Sequence, residues 1–244
     1  MSLSVTLAVA RRVLGQLRHD PRTLALALVV PCMLELILQQ LFGRNSPVFQ
    51  QVGTPLLGLF PFVTMFLVTS ITMLRERTSG TLERLMTMPL HKVDLLAGYG
   101  IAFALLAVVQ ATLVSVLAFG FLGLEVDGPK WLVVGLAVAN AVLGSTLGLF
   151  VSAFAQTEFQ AVQFMPLFVI PQILLCGLFV PRDELPTVLH AISSVLPLSY
   201  ATDAMEALVA TTATAEVWRD LGIVAGFALA ALALGAATLR RRTP

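Results

Sequence analysis

The stretch LLAGYGIAFALLAVVQATLVSVLAFGFLGL, residues 95–124, contains 30 residues and no charged side chain. A helix of about 20 residues is long enough to cross the hydrocarbon core of a bilayer. The stretch lacks the strict alternation of apolar and polar residues that a strand of a membrane barrel requires. It therefore predicts a membrane-spanning helix, and the fold depends on how many similar stretches lie on either side of it.

Similar charge-free stretches flank it in both directions. They cover residues 45–74, 131–157, 159–181 and 221–239, and a further stretch, 23–42, is interrupted only by Glu35. Each stretch is long enough for one spanning helix. We predict an all-α integral membrane protein, a single transmembrane domain over residues 1–244, with six spans at 23–42, 56–74, 95–120, 131–154, 163–181 and 221–239.

The composition of the whole chain agrees with a membrane protein. Of its 244 residues, 57% are hydrophobic and 12% are charged, and the mean hydropathy is +0.90. The charged fraction is about half of the roughly 25% that soluble domains carry. Soluble enzymes, disordered tails and disulfide-stabilised secreted domains are therefore poor candidates. The net charge of +1 gives no overall attraction to nucleic acid, so we expect no nucleic-acid partner.

The basic residues are distributed unevenly among the predicted loops. If the N-terminus is inside, 11 of the 15 Lys and Arg residues lie in inner segments and 4 lie in outer loops. The inner loops of membrane proteins carry an excess of Lys and Arg. The distribution predicts a multi-pass protein of the plasma membrane with both termini in the cytoplasm.

Residues 1–20 lack the basic start and the long apolar centre of a signal peptide. They have apolar residues at helical spacing, with Arg12 and Gln16 on the opposite side of the helix. These apolar residues are Leu3, Leu7, Ala10, Val13, Leu14 and Leu17. We interpret the segment as an interfacial helix that lies on the inner leaflet. The alternative is an ordinary juxtamembrane helix without a further role.

The predicted inner loop 75–92 contains the run RERTSGTLERLMTMPL, residues 75–90. Ser79 or Thr81 can cap a short helix, and Pro89 ends it. This helix would carry a small apolar face formed by Leu82, Leu85 and Met86. A short loop does not need such a face for its own folding, so the face indicates a docking surface for a partner. The alternative is that the face rests on the bilayer.

The predicted outer loop, residues 182–220, is too long to be a simple turn. Its apolar residues recur at helical spacing in two short segments, with Pro186 suited to the first turn of one helix and Pro197 separating the two. We predict two short re-entrant helices that plug the outer end of a pathway. The alternative is a pair of surface helices with no gating role.

Polar side chains inside the predicted spans are few. They include Glu35 and Gln39 in the first span, Gln110 in the third and Asn140 in the fourth. A carboxylate in a membrane is costly and therefore a functional candidate. We predict that these four residues line a translocation path, with Glu35 and Gln39 facing the interior of a dimer. A protonated Glu35 that serves only packing is the alternative.

Two pairs of glycines at four-residue spacing, Gly144 with Gly148 and Gly222 with Gly226, permit close approach of helices. Both cysteines, Cys32 and Cys176, lie in predicted spans and suit apolar packing. The three histidines are scattered singly. We therefore expect neither a metal site nor a catalytic site.

Two segments of the sequence resemble signatures of ABC-2 type permeases, the membrane halves of ATP-binding-cassette exporters such as those of multidrug resistance. In the inner loop the matching residues are Glu76, Gly80, Thr81, Leu82, Glu83, Leu85, Pro89 and Leu90. In and just before the outer loop they are Gly177, Pro181, Leu185, Pro186, Leu189, Ile192, Pro197, Leu198, Tyr200, Ala201, Asp203 and Ala204. The family often has Arg where this chain has Glu206, so a role of that Arg does not carry over.

The resemblance implies which residues meet partners. The segment that would couple the permease to an ATPase contains Glu76, Gly80, Thr81, Leu82, Glu83, Arg84, Leu85, Met86 and Pro89, with a second, smaller contact at Glu158. The outer gate would contain Pro186, Pro197, Tyr200 and Asp203. Two ATPase subunits would dock on two copies of the permease, as a homodimer or a related heterodimer surrounded by membrane lipid.

The sequence contains no Gly-x-x-x-x-Gly-Lys-Ser/Thr phosphate-binding element. We therefore expect ATP and Mg²⁺ to be bound by a separate ATPase, and the chain not to be an enzyme by itself. The leading hypothesis is export of a hydrophobic or amphipathic substrate, drug or lipid-like. The alternatives are a secondary transporter or channel that uses Glu35, and a membrane scaffold that transports nothing.

Overall fold

The computed structural model of the chain describes residues 2–81, 85, 92–212 and 214–238, and within these ranges the regular elements are helices. Six helical segments are long and apolar enough to cross a membrane. They are α2 (Pro21–Phe42), α3 (Pro47–Thr78), α4 (Lys92–Leu117, continued by a π-helical turn over Ala118–Leu122), α5 (Lys130–Ser152), α6 (Glu158–Phe168) together with α7 (Ile170–Leu175), and α10 (Ala215–Thr238). The predicted all-α membrane fold with six spans is confirmed.

Shorter helices lie at the two ends of the bundle. At one end, α1 (Leu3–His19) precedes the first span. At the other end, a 3₁₀ turn (Arg182–Glu184), α8 (Thr187–Ser193) and α9 (Pro197–Ala210) connect the fifth and sixth spans. We refer to these two ends as the α1 end and the α9 end. The helix α1 and the two short helices of the long loop were predicted from the sequence.

Local sequence determines where the first spans begin and end. The Asp20 carboxylate accepts hydrogen bonds from the backbone N and the hydroxyl of Thr23, at 3.1 and 2.6 Å, and so caps α2, whose first residue is Pro21. The helix stops at Gly43, which has a φ of 87°. Helix α3 begins in the same manner, with Ser46 as its cap and Pro47 at its first position.

Several predicted boundaries differ from the observed ones. The second span was predicted at 56–74, but α3 covers Pro47–Thr78. At its end the helix continues past residue 74 because the charged residues of its last turn have partners on other helices. The fifth span was predicted at 163–181. It begins at Glu158, after the Thr157 cap, and its helical part ends at Leu175. The sixth span was predicted at 221–239, but its helix begins at Ala215. The prediction left out the first turns of this helix because they contain the charged residues 216, 219 and 220.

Helices α3 and α5 form the buried centre of the bundle, and Gly144 and Gly148 of α5 bring the two together. A Cβ atom on Gly144 would lie 2.9 Å from the carbonyl carbon of Phe62, and one on Gly148 would lie 2.5 Å from the carbonyl oxygen of Phe66. Both distances are too short for an ordinary contact, so this pair of helices requires glycine. Around Gly222 and Gly226 a Cβ would have no neighbour within 4 Å, so the close approach predicted there is absent from the described part of the chain.

Helix α1 packs along the first turns of α4. A Cβ on Gly98 would lie 2.6 Å from the Cβ of Val9, so this glycine allows the two helices to touch. The buried side of α1 consists of Thr6, Val9, Ala10, Val13 and Leu17. The predicted apolar face is therefore corrected: Leu3 and Leu7 belong to an exposed stripe beside the packed side.

Candidate functional site

A network of polar side chains joins α1 to the last turn of α3. The Arg12 guanidinium donates to both carboxylate oxygens of Glu76, at 3.1 and 3.2 Å, and the Gln16 amide donates to one of them at 2.7 Å. Arg12 also donates to the Tyr99 hydroxyl at 3.3 Å. Partial burial alone would lower the pKa of Arg12, but its bonds to Glu76 and Tyr99 hold that pKa above its ordinary value.

This network corrects one prediction and shows where a second predicted residue lies. Arg12 and Gln16 do not face away from the protein, because they are the residues that connect α1 to α3. Glu76 was predicted to contact an ATPase, but the residue is 7% exposed and its carboxylate is bound within the chain. Glu76 therefore links α1 to the last turn of α3, within the predicted coupling segment.

The neighbouring residues of α3 reach other helices at the same end. Arg75 donates to both carboxylate oxygens of Glu158, at 2.7 and 3.2 Å, and lies 4.0 Å from the carboxylate of Asp20. Arg77 donates to the backbone carbonyl of Ser152, the last residue of α5. Residues 75–77 therefore contact the ends of α1, α2, α5 and α6. Glu158, predicted as a second ATPase contact, pairs with Arg75 while its side chain remains 54% exposed.

The segment that follows α3 begins with a turn. Gly80 has a φ of 72°, and the hydroxyls of Ser79 and Thr81 lie 2.9 Å apart. Leu85 packs, partly buried, against the main apolar core. The other predicted coupling residues lie outside the described part of the chain. These are Leu82, Glu83, Arg84, Met86 and Pro89.

A cleft of about 240 Å³ opens between α1, the end of α3 and this turn. Its walls combine apolar side chains from α1 with charged and hydroxyl groups from α2, α3 and the turn. The lining residues are Val13, Gln16, Leu17, Asp20, Thr72, Arg75, Glu76, Ser79 and Thr81. The cleft lies directly beside the predicted coupling segment.

The four residues predicted to line a path do not form one polar cluster, since no hydrogen bond joins any two of them. Glu35 is fully buried, and both of its carboxylate oxygens lack a hydrogen-bond partner. Its side chain therefore lies inside its own chain, which corrects the hypothesis that it faces a second copy. Gln39, one turn further along, is half-buried and accepts a hydrogen bond from the neighbouring Gln40.

Gln110 and Asn140 are buried in two different contacts. The Gln110 amide donates to the backbone carbonyl of Ala27 at 2.7 Å and so joins α4 to α2. The Asn140 amide lies beside Gly58. A Cβ atom on Gly58 would lie 2.7 Å from the Asn140 amide nitrogen and 2.7 Å from the sulfur of Met205. Helices α3, α5 and α9 therefore meet around Asn140. Helix α9 thus enters the bundle from the α9 end rather than lying on its surface.

At the α9 end, Arg182 gathers the predicted gate residues Tyr200 and Asp203. Its guanidinium pairs with the Asp203 carboxylate, donates to the Ser193 hydroxyl at 2.9 Å, and lies 5.3 Å from the centre of the Tyr200 ring. The Tyr200 hydroxyl donates to the carbonyl of Ser194 at 2.7 Å. Arg182 was not predicted from the sequence to contact these residues, although it follows directly after the GLFVP segment, residues 177–181.

The two prolines of the predicted gate mark helix starts. Pro186 directly precedes α8, and Pro197 is the first residue of α9. Leu198, one residue further, is buried in the same apolar cluster as Phe62 and Phe66 from the middle of α3. The Ser193 hydroxyl donates to the carbonyl of Leu175 at 2.8 Å, which fastens the end of α8 to the end of the fifth span.

The carboxylate of Glu206, one turn after Asp203, predicts a pH dependence of stability. The Glu206 residue is exposed, but neighbouring groups partly desolvate its carboxylate, and this desolvation, followed by repulsion from Asp203, raises the pKa of Glu206 from 4.5 to about 7. The folded chain then binds more protons than the unfolded chain between these two values, so its stability falls as the pH rises through them. We expect the melting temperature of the purified protein to fall between about pH 5 and pH 8, and Glu206→Gln to reduce that fall.

A suitable control for this measurement is Glu125→Gln, which changes an exposed carboxylate of another loop at the α9 end. It should keep the pH dependence of the wild type. Identical pH dependence in the wild type and in Glu206→Gln would contradict the role assigned to Glu206.

Comparison with known proteins identifies the family. The family described as ABC-2 type transporter matches residues 4–209. The probable multidrug ABC transporter permease YbhR of Escherichia coli (strain K12) is 26% identical over 188 residues, 77% of this chain and 51% of that protein. The linearmycin resistance permease protein LnrN of Bacillus subtilis (strain 168) is 27% identical over 184 residues, 75% of this chain and 47% of that protein.

A eukaryotic protein is also similar. The ABC transporter G family member 20 of Dictyostelium discoideum is 26% identical over 161 residues, 66% of this chain and 22% of that protein. The chain spans about half the length of the two bacterial relatives. Because the family match covers most of the chain, and because six helices can cross a membrane, this multi-pass membrane protein belongs to the ABC-2 type transporter family.

Proposed function

We propose that the chain is the permease subunit of an ABC exporter that moves hydrophobic or amphipathic compounds out of the cell. Its family supports a membrane component of an ABC transporter. The names of its relatives, a probable multidrug permease and a linearmycin resistance permease, support export of compounds of this class. ATP and Mg²⁺ are bound by two separate ATPase subunits, and two permease copies, identical or related, form the pathway.

The observation that carries this proposal is the arrangement of charged residues at the end of α3. Arg75, Glu76 and Arg77 connect the segment that follows them to the ends of four other helices. A displacement of that segment by an ATPase therefore reaches several spans together. We assign Leu82, Leu85 and Met86 to a cleft of the ATPase, Glu83 and Arg84 to its rim, and the exposed side of Glu158 to a second contact.

The proposal is tested by changing the turn that carries the coupling segment. Gly80 has a φ of 72°, which proline cannot adopt, so Gly80→Pro should displace the segment. Gly43→Pro is the matched control, because Gly43 also has a positive φ, has open space around it, and lies at the α9 end. We expect Gly80→Pro to lower ATP-driven efflux of amphipathic dyes at least tenfold, and Gly43→Pro to have a much smaller effect.

Three measurements on each variant separate the possible outcomes: assembly with the ATPase, ATPase rate and dye efflux. If Gly80→Pro keeps wild-type assembly, ATPase rate and dye efflux, the proposed coupling role of this segment is wrong. Efflux that continues without ATP but stops when ion gradients collapse would favour a secondary transporter that uses Glu35. An absence of any transport by the assembled complex would favour a scaffold.

The orientation of the chain is a separate prediction. We propose that the α1 end and both termini are cytoplasmic and that the α9 end is outside, in agreement with the excess of Lys and Arg at the α1 end. Single cysteines at positions 190 and 215, in a chain without Cys32 and Cys176, should react with an impermeant maleimide added to intact cells. Cysteines at positions 80 and 243 should react only after lysis. Labelling of position 80 in intact cells would contradict the proposed orientation and indicate the opposite one.

A further inference from the structure

Two sides of α1 are occupied within the chain, and a third side is exposed. The first packs on α4, and the second binds Glu76 through Arg12 and Gln16. On the third side, Leu3 is 74% exposed and Leu7 is 51% exposed. Arg11 and Arg18 are exposed as well. Helix α1 contains no acidic residue that could neutralise these two arginines.

The leucines and arginines of the exposed side form one stripe. At about 100° per residue, Leu3, Leu7, Arg11 and Arg18 fall within an arc of roughly 80°. The Arg18 end of the stripe lies next to the first spanning helix, since α1 ends at His19 and Asp20 caps α2 directly after it. Two exposed leucines are thus followed by two exposed arginines along a helix that leads into a membrane span.

We propose that this stripe is a binding surface for anionic phospholipids of the leaflet at the α1 end. The leucines would enter the boundary of the acyl chains, and Arg11 and Arg18 would bind lipid phosphates through charge-assisted hydrogen bonds. An acidic protein is a poorer occupant, because two exposed leucines share the stripe with the arginines and the helix leads directly into a span. The proposal concerns lipid binding and does not depend on transport or on an ATPase.

The test uses the full chain in bilayer nanodiscs of phosphatidylcholine and phosphatidylglycerol. The lipids that remain bound after mild extraction are counted by native mass spectrometry. We expect phosphatidylglycerol to be enriched over phosphatidylcholine in the wild type. Each arginine near an anionic surface strengthens binding about fivefold, so Arg11→Gln with Arg18→Gln should abolish most of the enrichment.

Two further variants keep the test decisive. Arg11→Lys with Arg18→Lys retains the charge and should retain the enrichment. Arg44→Gln with Lys130→Gln removes the same charge from exposed positions at the α9 end and should also retain it. The proposal is overturned if the wild type shows no enrichment, if the Arg11 and Arg18 glutamine variant keeps it, or if the Arg44 and Lys130 variant loses it equally.

Discussion

We expect Gly144→Leu to prevent stable folding, and Gly135→Leu, in the same helix, to leave the fold intact. A side chain at position 144 would collide with the backbone of Phe62 on α3, and backbone cannot rotate away as a side chain can. Overpacking of a well-packed core typically costs about 1 to 3 kcal/mol even where side chains can shift, so the cost here should be at least about 3 kcal/mol. Around Gly135 a Cβ would have no neighbour within 4 Å, so it is a matched control.

The measurement is the yield and melting temperature of the monodisperse protein in detergent. Gly144→Leu should give little or no monodisperse protein, and Gly144→Ala should give protein with a lowered melting temperature. Equal yields of Gly144→Leu and Gly135→Leu would show that α3 and α5 do not touch as described. Because α3 also carries the charged residues 75–77, a weakened α3–α5 contact should disturb the α1 end as well.

The two glycine pairs show what a sequence can and cannot predict about this fold. Spacing in the sequence identified both pairs as sites of close approach. Among the described residues, Gly144 and Gly148 meet another helix whereas Gly222 and Gly226 do not, because spacing does not tell which side of a helix faces a neighbour. The six spans themselves could be predicted, since each depends on a long run of residues within one segment that is uncharged, apart from Glu35 in the first.

The charged ends of the spans were harder to predict for the same reason. Arg75 and Glu158 lie 83 positions apart in the sequence, so each alone looked like a loop residue available to a partner. Arg182 was missed although Asp203 was selected, because the pair depends on how the loop between the fifth and sixth spans folds back. A prediction from spacing within one helix cannot find such pairs, which form only when distant segments pack.

The network around Glu76 leads to the second large effect. We expect Glu76→Arg alone and Arg12→Glu alone each to lower the stability of the protein by about 2 to 3 kcal/mol, because each leaves like charges together at a largely buried site. The Arg12 side chain is 29% exposed, so water should reduce the cost somewhat. If the segment after α3 transmits movement, both variants should also uncouple ATP hydrolysis from efflux.

The double variant Arg12→Glu with Glu76→Arg should recover most of the lost stability. The neighbours of the pair permit the exchange, because the Tyr99 hydroxyl and the Gln16 amide can each donate or accept a hydrogen bond. Arg22→Glu is the charge-matched control, since it makes the same change at an exposed position at the start of α2. Melting temperature, ATPase rate and efflux should be measured on the wild type, the two single variants, the double variant and the Arg22→Glu control.

The outcomes separate a structural contact from a transmitting one. Recovery of the melting temperature together with coupled efflux in the double variant would mean that the ion pair itself, in either direction, holds α1 against α3. Recovery of the melting temperature without coupled efflux would mean that coupling requires a carboxylate at position 76 itself, beyond its part in the ion pair. A double variant as unstable as the single variants would contradict the pairing, and the link between α1 and the coupling segment would then have to depend on apolar packing alone.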